Sequence, residues 1–178
     1  MDERKWIERI LAGDTQSFSC LVAKYEKMAY TIALRILENR EEAEEAVQDA
    51  FVKMYRALSD FHFDSKFSTW FYRIVYRTAL TALRQQRMFV SYEEAGPVDL
   101  SNGEVESATA LLEREDRKEM IARTLKKLPA DEALLLTLYY LEECSVEEIC
   151  QITELSASNV KVKLFRGRKR FYEVLQDK

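Results

Sequence analysis

The stretch CSVEEICQITELSASNVKVKLFRGRKR, residues 144–170, decides the fold of the C-terminal part of the chain. It holds two helical patterns separated by a short break at 154–155. Ser145 followed by Glu148 has the form of a capping box, which predicts that the first helix begins there. A basic second helix is predicted from about Ser156 onward. This combination predicts a helix-turn-helix, in which the second helix commonly enters the major groove of DNA.

The second helix of this motif carries candidate DNA contacts. On a helical wheel its apolar stripe includes Val160 and Leu164, with Gly167 on the same side. A different face, about 60° wide, holds four polar residues. Lys161 is a further candidate, for the DNA backbone. A helical hairpin with a basic, solubilising tail is the competing interpretation. The four residues of the polar face are Asn159, Lys163, Arg166 and Arg170.

A second basic helix is predicted over residues 68–87, with Ser68 as its N-cap. No acidic residue occurs between Ser65 and Tyr92. On the wheel the arginines share one narrow face, which Trp70 and Tyr76 flank. Arginine binds phosphate and aromatic rings stack on unpaired bases, so nucleic acid is favoured over a solvated face. The basic residues of this stretch are Lys66, Arg73, Arg77, Arg84 and Arg87.

Acidic residues crowd the segment 41–49, at the start of another predicted helix. The helix dipole explains some of them, because carboxylates stabilise helix N-termini. A di-metal bundle would need Glu-x-x-His pairs, and no histidine is present there. A docking surface for a basic protein partner is the better functional interpretation. The acids are Glu41, Glu42, Glu44, Glu45 and Asp49.

The remaining sequence predicts an all-α protein. The chain has 178 residues but only four glycines and two prolines. Asn39 with Glu42 predicts a second capping box, and 59–67 a loop. The segment 91–107 lacks periodicity and is predicted to be a flexible, acidic linker. We therefore expect two small helical domains, 1–90 and 108–178.

Composition excludes several classes of protein. The net charge is −4, but a DNA-binding footprint is local, so the two basic stretches weigh more than the total. Cys20, Cys144 and Cys150 are widely spaced, which favours buried or half-buried thiols over a disulfide or, with the single His62, a zinc site. No apolar run has the length of a membrane span, and no signal peptide is evident. A cytoplasmic protein without a cofactor is expected.

Four motifs together resemble the extracytoplasmic-function group of sigma-70 factors. They are GDTQSF (13–18), REEAEEAVQDAFVKMYRAL (40–58), FSTWFYRIVYR (67–77) and the stretch from LKKLP to RGRKR (125–170). The resemblance implies a non-enzymatic protein that directs core RNA polymerase to promoter DNA. It implies docking on the clamp helices of the largest subunit and the flap of the second-largest subunit. The implied clamp-docking residues are Glu44, Glu45, Val47, Gln48, Asp49 and Phe51.

The resemblance also implies how promoter DNA is read. The loop 61–67 would hold a flipped base of the −10 element, with Trp70 and the arginines nearby. The helix-turn-helix would read the −35 element and adds Ser158 to the residues named above. An anti-sigma partner is possible, whereas a small-molecule substrate and membrane insertion are not expected. Arg77 and Asn159 depart from the usual family residues, so the promoter sequence is not predicted.

Three other classes of function fit the sequence less well. A stand-alone, dimeric helix-turn-helix regulator would need a dimer interface, and no heptad zipper or ligand domain is evident. An enzyme would need a phosphate loop, a nucleophile elbow or a paired histidine, none of which the sequence contains. A protein-only adaptor is disfavoured by the two separated basic helices.

Overall fold

The computed structural model describes residues 3–90 and 112–176, with side chains for 3–86 and 118–176. Every described element is helical, which confirms the all-α prediction. The predicted linker 91–107 lies outside the described residues. The helices are α1 Glu3–Leu11, α2 Thr15–Leu37, α3 Arg40–Ala57, a 3₁₀ turn Leu58–Asp60, α4 Phe67–Val90, α5 Leu112–Lys126, α6 Ala130–Tyr140, α7 Val146–Thr153 and α8 Ala157–Gln176.

Helices α2, α3 and α4 pack against one another and form the N-terminal unit. Phe71 of α4 is fully buried and lies 4.8 Å, centroid to centroid, from Phe51 of α3. Tyr25 of α2 makes an edge contact with the same Phe71 ring at 5.9 Å. Such aromatic contacts add about 1 kcal/mol each to the burial of apolar area. One aromatic side chain of α4 therefore joins all three helices.

Helix α1 was not predicted from the sequence. It buries Ile7 and Ile10 against the unit, and the Glu3 carboxylate accepts hydrogen bonds from Lys24 and Tyr25 of α2. The signal was present as two isoleucines three residues apart in a charged segment. At nine residues, the helix is too short to be stable without that packing.

The predicted helix starts are confirmed in part. Asn39 caps α3, since its Oδ1 accepts from the Glu42 N–H at 3.2 Å. The Glu42 carboxylate does not complete a capping box; it accepts from Gln86 Nε2 of α4 at 2.9 Å. Ser68 was the wrong N-cap, because α4 begins at Phe67 and the Lys66 carbonyl accepts the Trp70 N–H. The predicted helix starts are therefore accurate to about one residue.

The C-terminal unit consists of α5 to α8, and it contains the predicted helix-turn-helix. Ser145 and Glu148 form a complete capping box at the start of α7. The turn between α7 and α8 passes through Glu154, whose φ of 62° is left-handed. The Ser156 hydroxyl then accepts from the Asn159 N–H at 3.3 Å at the start of α8. Both predicted helices and their turn are confirmed.

Gly167 allows α8 to lie close to α6. A Cβ built at this position would lie 3.2 Å from Leu136 Cδ1 and 3.3 Å from Glu132 Cβ. Glycine costs an exposed helix roughly 1 kcal/mol relative to alanine, but here it permits this close approach. Gly167 lies on the apolar side of α8, as the helical wheel indicated, and faces α6 there.

We expect Gly167→Val to destabilise the C-terminal unit by about 1–3 kcal/mol, because the added methyl groups would overpack the α6–α8 contact. The loss should appear as a lower Tm in a thermal melt followed by circular dichroism. Lys169→Val, at an exposed position of the same helix, is the matched control. Equal Tm values for the two variants would contradict the close-packing interpretation.

Candidate nucleic-acid and polymerase interfaces

Helix α4 presents its basic residues on the side away from the N-terminal core. Lys66, Arg73, Arg77 and Arg84 are exposed, while Phe71 and Val75 on the opposite side are fully buried. The side chain of Arg87 lies outside the described residues. The helical wheel therefore placed the two faces of α4 correctly. The nucleic-acid role of these residues stays a prediction.

The basic face is not open to solvent along its whole length, because the C-terminal unit packs against it. Glu148 of α7 lies 2.9 Å from Lys66 Nζ and accepts from the Thr69 hydroxyl at 3.5 Å. Glu154, in the helix-turn-helix turn, accepts from Arg77 Nε at 2.8 Å. These acids lie more than 70 residues from their partners, beyond the reach of the helical-wheel analysis.

Two further contacts join α4 to the C-terminal unit. The Tyr72 hydroxyl donates to Glu142 at 2.7 Å, and Arg73 Nη2 lies 3.6 Å from Glu154 Oε1. Burial, together with the Glu142 carboxylate, raises the pKa of Tyr72 well above its usual value, so the hydroxyl remains a donor. Thr69 lies three residues before Tyr72 and four before Arg73, and Arg77 follows Arg73 by four, so these residues lie on one side of α4.

The ion pairs shift the ionisation of their members. The hydrogen bond from Arg77 is the main cause that holds the pKa of Glu154 below its usual value. Burial opposes ionisation of Glu148, but the Ser145 N–H and Lys66 outweigh it and lower its pKa. The hydrogen bond to Glu148 raises the pKa of Lys66. All three groups are charged at neutral pH, so the contact is ionic.

The loop before α4 offers fewer aromatic rings than the sequence suggested. Phe61 and Phe67 are buried, and Trp70 is half-buried between them at centroid distances of 5.0 and 5.6 Å. Phe63 is the exposed phenylalanine of this loop, at a left-handed φ of 61°, and the Arg4 guanidinium lies 5.0 Å from its ring centroid. Phe61, Phe67 and Trp70 therefore support the loop from within, whereas Phe63 faces outward.

Most of the residues of α8 that were predicted to contact DNA are exposed to solvent. Ser158, Asn159, Lys161 and Arg166 are exposed. Lys163 instead pairs with Asp131, and Arg170 Nη1 lies 3.0 Å from the buried carboxylate of Glu132. These two cations connect α8 to α6. Of the six predicted residues, four are exposed, and the other two also pair with acids of α6.

The predicted docking segment of α3 divides between surface and core. Glu44, Glu45, Gln48 and Asp49 are exposed, whereas Val47 and Phe51 are buried in the N-terminal core. The two buried residues position the helix and do not offer a surface to a partner. Two exposed apolar residues that sequence reasoning missed, Val52 and Tyr55, extend the surface at i+4 and i+7 from Gln48.

Other kinds of site receive little support. Within the described ranges 3–86 and 118–176, no group of three or more His, Cys, Asp or Glu side chains could hold a metal ion. None of the described helices is long and apolar enough to cross a membrane. Cys20 is exposed, so the expectation that all three thiols are buried or half-buried was wrong.

Comparison with known proteins identifies both units. Residues 21–88 match the family "Sigma-70 region 2", and residues 118–171 match "Sigma-70, region 4". The RNA polymerase sigma-H factor of Pseudomonas aeruginosa is 32% identical over 98% of this chain and 94% of its own length. The ECF RNA polymerase sigma-E factor of Escherichia coli K12 is 31% identical over 92% of this chain and 88% of its own.

Solved structures share the fold. The sigma factor RpoE of Bartonella quintana, solved with the anti-sigma factor NepR, has a TM-score of 0.70, with 18% identity over 90% of this chain and 98% of that one. CnrH, solved with the cytosolic domain of CnrY, has a TM-score of 0.64, with 21% identity over 98% of this chain and 97% of that one. At these identities the likeness concerns the fold alone.

The fold and the two matched regions define a transcription factor of the sigma class, which acts in promoter-specific initiation of transcription. The chain belongs to the extracytoplasmic-function group of the sigma-70 family, as the near-complete alignments with sigma-H and sigma-E show.

We expect the thiols to differ in reactivity with iodoacetamide at pH 8. Burial, with Glu148 and Glu142 nearby, raises the pKa of Cys144 to about 11, which leaves little of the reactive thiolate. Cys20 should be alkylated first and Cys144 roughly a hundredfold more slowly. Peptide mass spectrometry measures both rates, and the urea-unfolded chain, where they should converge, is the control. Equal rates in the folded protein would show that the segment before α7 does not stay packed.

Proposed function

We propose that the three surfaces divide the work of a sigma factor: α8 reads the −35 element, α4 with the loop 61–66 captures the −10 element, and α3 docks on core RNA polymerase. The observation that carries the proposal is the separation of the two basic helices into two units, each matching a different sigma-70 region. One protein of this kind can contact two DNA elements at once.

The −35 role of α8 is supported by exposure. Ser158 and Asn159 lie in its first turn, where recognition helices read base edges. Lys161 and Arg166 follow on the next turns and are exposed. Lys163 and Arg170, which are paired with acids of α6, would reach DNA by exchanging a carboxylate for a phosphate.

The −10 role of α4 is supported by its arginine face and the adjoining loop. Arg73, Arg77, Arg84 and Arg87 would contact the DNA strand, with Lys66 at the start of the helix. Phe63 supplies an exposed ring on which an unpaired base could stack. Trp70, packed between Phe61 and Phe67, would form the wall of the loop.

Polymerase docking is assigned to both units. The acidic surface of α3, formed by Glu44, Glu45, Gln48 and Asp49, complements a basic partner, and we assign it to the clamp helices. The C-terminal unit would meet the flap of the second-largest subunit. An apolar cleft of about 260 Å³, lined in part by Ile121, Leu136, Tyr140 and Phe171, is available there.

The remaining expectations follow from this role. We propose that the chain is not an enzyme, since directing polymerase requires no reaction on the chain, no cofactor and no small-molecule substrate. A cytoplasmic location is proposed, where polymerase and promoters are found. Because two structural neighbours were solved with an anti-sigma factor or a cytosolic domain bound, we also propose an anti-sigma partner.

Charge reversal on α3 tests the docking surface. The double variant Glu45→Lys/Asp49→Lys should weaken binding to core RNA polymerase at least tenfold, because both side chains are exposed on the proposed surface. Glu26→Lys, at an exposed position of α2, is the control for a change of charge elsewhere. Affinity is measured by fluorescence anisotropy of the labelled chain. Unaltered affinity with unaltered helicity would rule out this surface.

Replacement of Arg166 by Ala tests the role of α8. A bidentate base contact is worth about 1–3 kcal/mol, so holoenzyme affinity should fall and the preference at one upstream base pair should relax. Arg84→Ala in α4 should instead weaken binding across sequences and reduce the salt slope by about one. Binding to a library of upstream sequences separates the two effects. An Arg166→Ala protein with unchanged preference would contradict base reading by this residue.

A further inference from the structure

An exposed aromatic ring of the loop before α4 lies against the first helix of the chain. The guanidinium carbon of Arg4 in α1 lies 5.0 Å from the ring centroid of Phe63, a distance typical of cation–π contacts. Within the loop, the buried Phe61 packs on Phe63 at a centroid distance of 4.7 Å. Phe63 therefore contacts both the proposed −10 loop and a helix that has had no functional role so far.

The backbone of Phe63 adopts a conformation that is unfavourable for this residue. Its φ of 61° lies in the left-handed region, which glycine occupies without steric cost but which strains a bulky aromatic residue. The Phe63 ring is also exposed, so its burial offsets only part of that strain. Strained residues of this kind cluster at ligand-binding sites, which makes the ring a candidate for a contact with DNA.

Helix α1 is held in place on both sides of Arg4. The Glu3 carboxylate accepts a hydrogen bond from Tyr25 of α2, and Ile7 is buried in the N-terminal core. One turn further along α1, Glu8 Oε1 lies 3.3 Å from Arg4 Nε. The backbone of Arg4 is therefore fixed beside the loop, whereas its long, exposed side chain retains rotamer freedom.

We propose that Arg4 is a base-contacting residue: a flipped base of the −10 strand enters between the Phe63 ring and the Arg4 guanidinium and stacks on both. The proposal rests on the proposed capture of the −10 element by the loop 61–66 and adds a residue of α1 to that site. Unpaired bases stack on aromatic rings and also on the guanidinium plane of arginine. The pair therefore offers a base a matching surface on each side.

The space between the two groups has to widen for a base to enter. Neighbouring bases of a DNA strand stack about 3.4 Å apart, so a base with a partner on each side needs about 7 Å between those partners. The ring and the guanidinium are 5.0 Å apart in the free chain. The guanidinium can move the remaining distance, because its pair with Glu8 is exposed and such pairs are weak. The site is therefore nearly formed before DNA binds.

Three variants separate stacking from simple attraction between a cation and a phosphate. Arg4→Met removes the charge and the planar group but keeps much of the length of the side chain. Lys5→Met is the matched control, because Lys5 is an exposed cation of the same helix and lies about 100° around the helix from Arg4. Phe63→Gly removes the ring at a backbone conformation that glycine adopts without strain, so the loop keeps its path.

The experiment measures binding by the full chain in complex with core RNA polymerase. The probe is a fluorescein-labelled fork-junction DNA that the wild-type complex selects from a pool randomised over the −10 segment, with abasic sites placed singly along its unpaired strand. The wild type should lose most affinity at one abasic position, where the base is captured. Arg4→Met should bind the intact probe about fivefold more weakly than Lys5→Met and should lose little more at that abasic position. In a Phe63→Gly background, Arg4→Met should cost less than about twofold.

The outcomes separate the role of Arg4 from base capture by the loop. If Arg4→Met binds the intact probe as Lys5→Met does, while Phe63→Gly removes the abasic effect, the role of Arg4 is overturned and capture by the loop stands. If Arg4→Met weakens binding equally with and without the Phe63 ring, Arg4 contacts a phosphate, and the stacking role is overturned as well. If Phe63→Gly leaves the abasic effect unchanged, capture on Phe63 fails, and the role of Arg4 fails with it. A loss at one base that requires both residues supports both proposals.

Discussion

The structure depends on the burial of one side of α4. Phe71 is inaccessible to solvent and contacts aromatic rings of both α2 and α3, so it fixes the rotation of α4 about its own axis. Once that rotation is fixed, Arg73 and Arg77 must point away from the N-terminal core. Both side chains remain about half accessible there, and the Glu154 carboxylate of the C-terminal unit pairs with each of them.

Features that depend on residues a few positions apart could be predicted from the sequence. The capping box at Ser145 and the two faces of α4 follow from spacing, and the structure contains both. The Glu154–Arg77 contact was out of reach, because its members are 77 residues apart and no periodicity connects them. Val47 and Phe51 show a related limit: family resemblance placed them in a docking segment, but side-chain direction places them in the core.

The left-handed turn at Glu154 shows how backbone stability and the placement of a charge can conflict. A residue other than glycine in this conformation costs the fold about 1–2 kcal/mol. Glycine would remove that cost but would also remove the carboxylate that meets Arg73 and Arg77. The strained residue is consistent with a turn selected for its side chain as well as for its shape.

The close approach of α6 and α8 at Gly167 bears on how promoter preference can change over time. Gly167 lets α6 approach α8 closely, and Glu132 of α6, which lies next to Gly167, pairs with Arg170 of α8. These three residues therefore position α8 together. A change at any one of them is expected to alter how α8 packs on α6. Ser158 and Asn159 are exposed and are not part of this contact. Under the proposed reading role of α8, divergence among duplicated copies, or the engineering of orthogonal promoter pairs, would proceed through 158 and 159 while the packing of α8 is inherited intact.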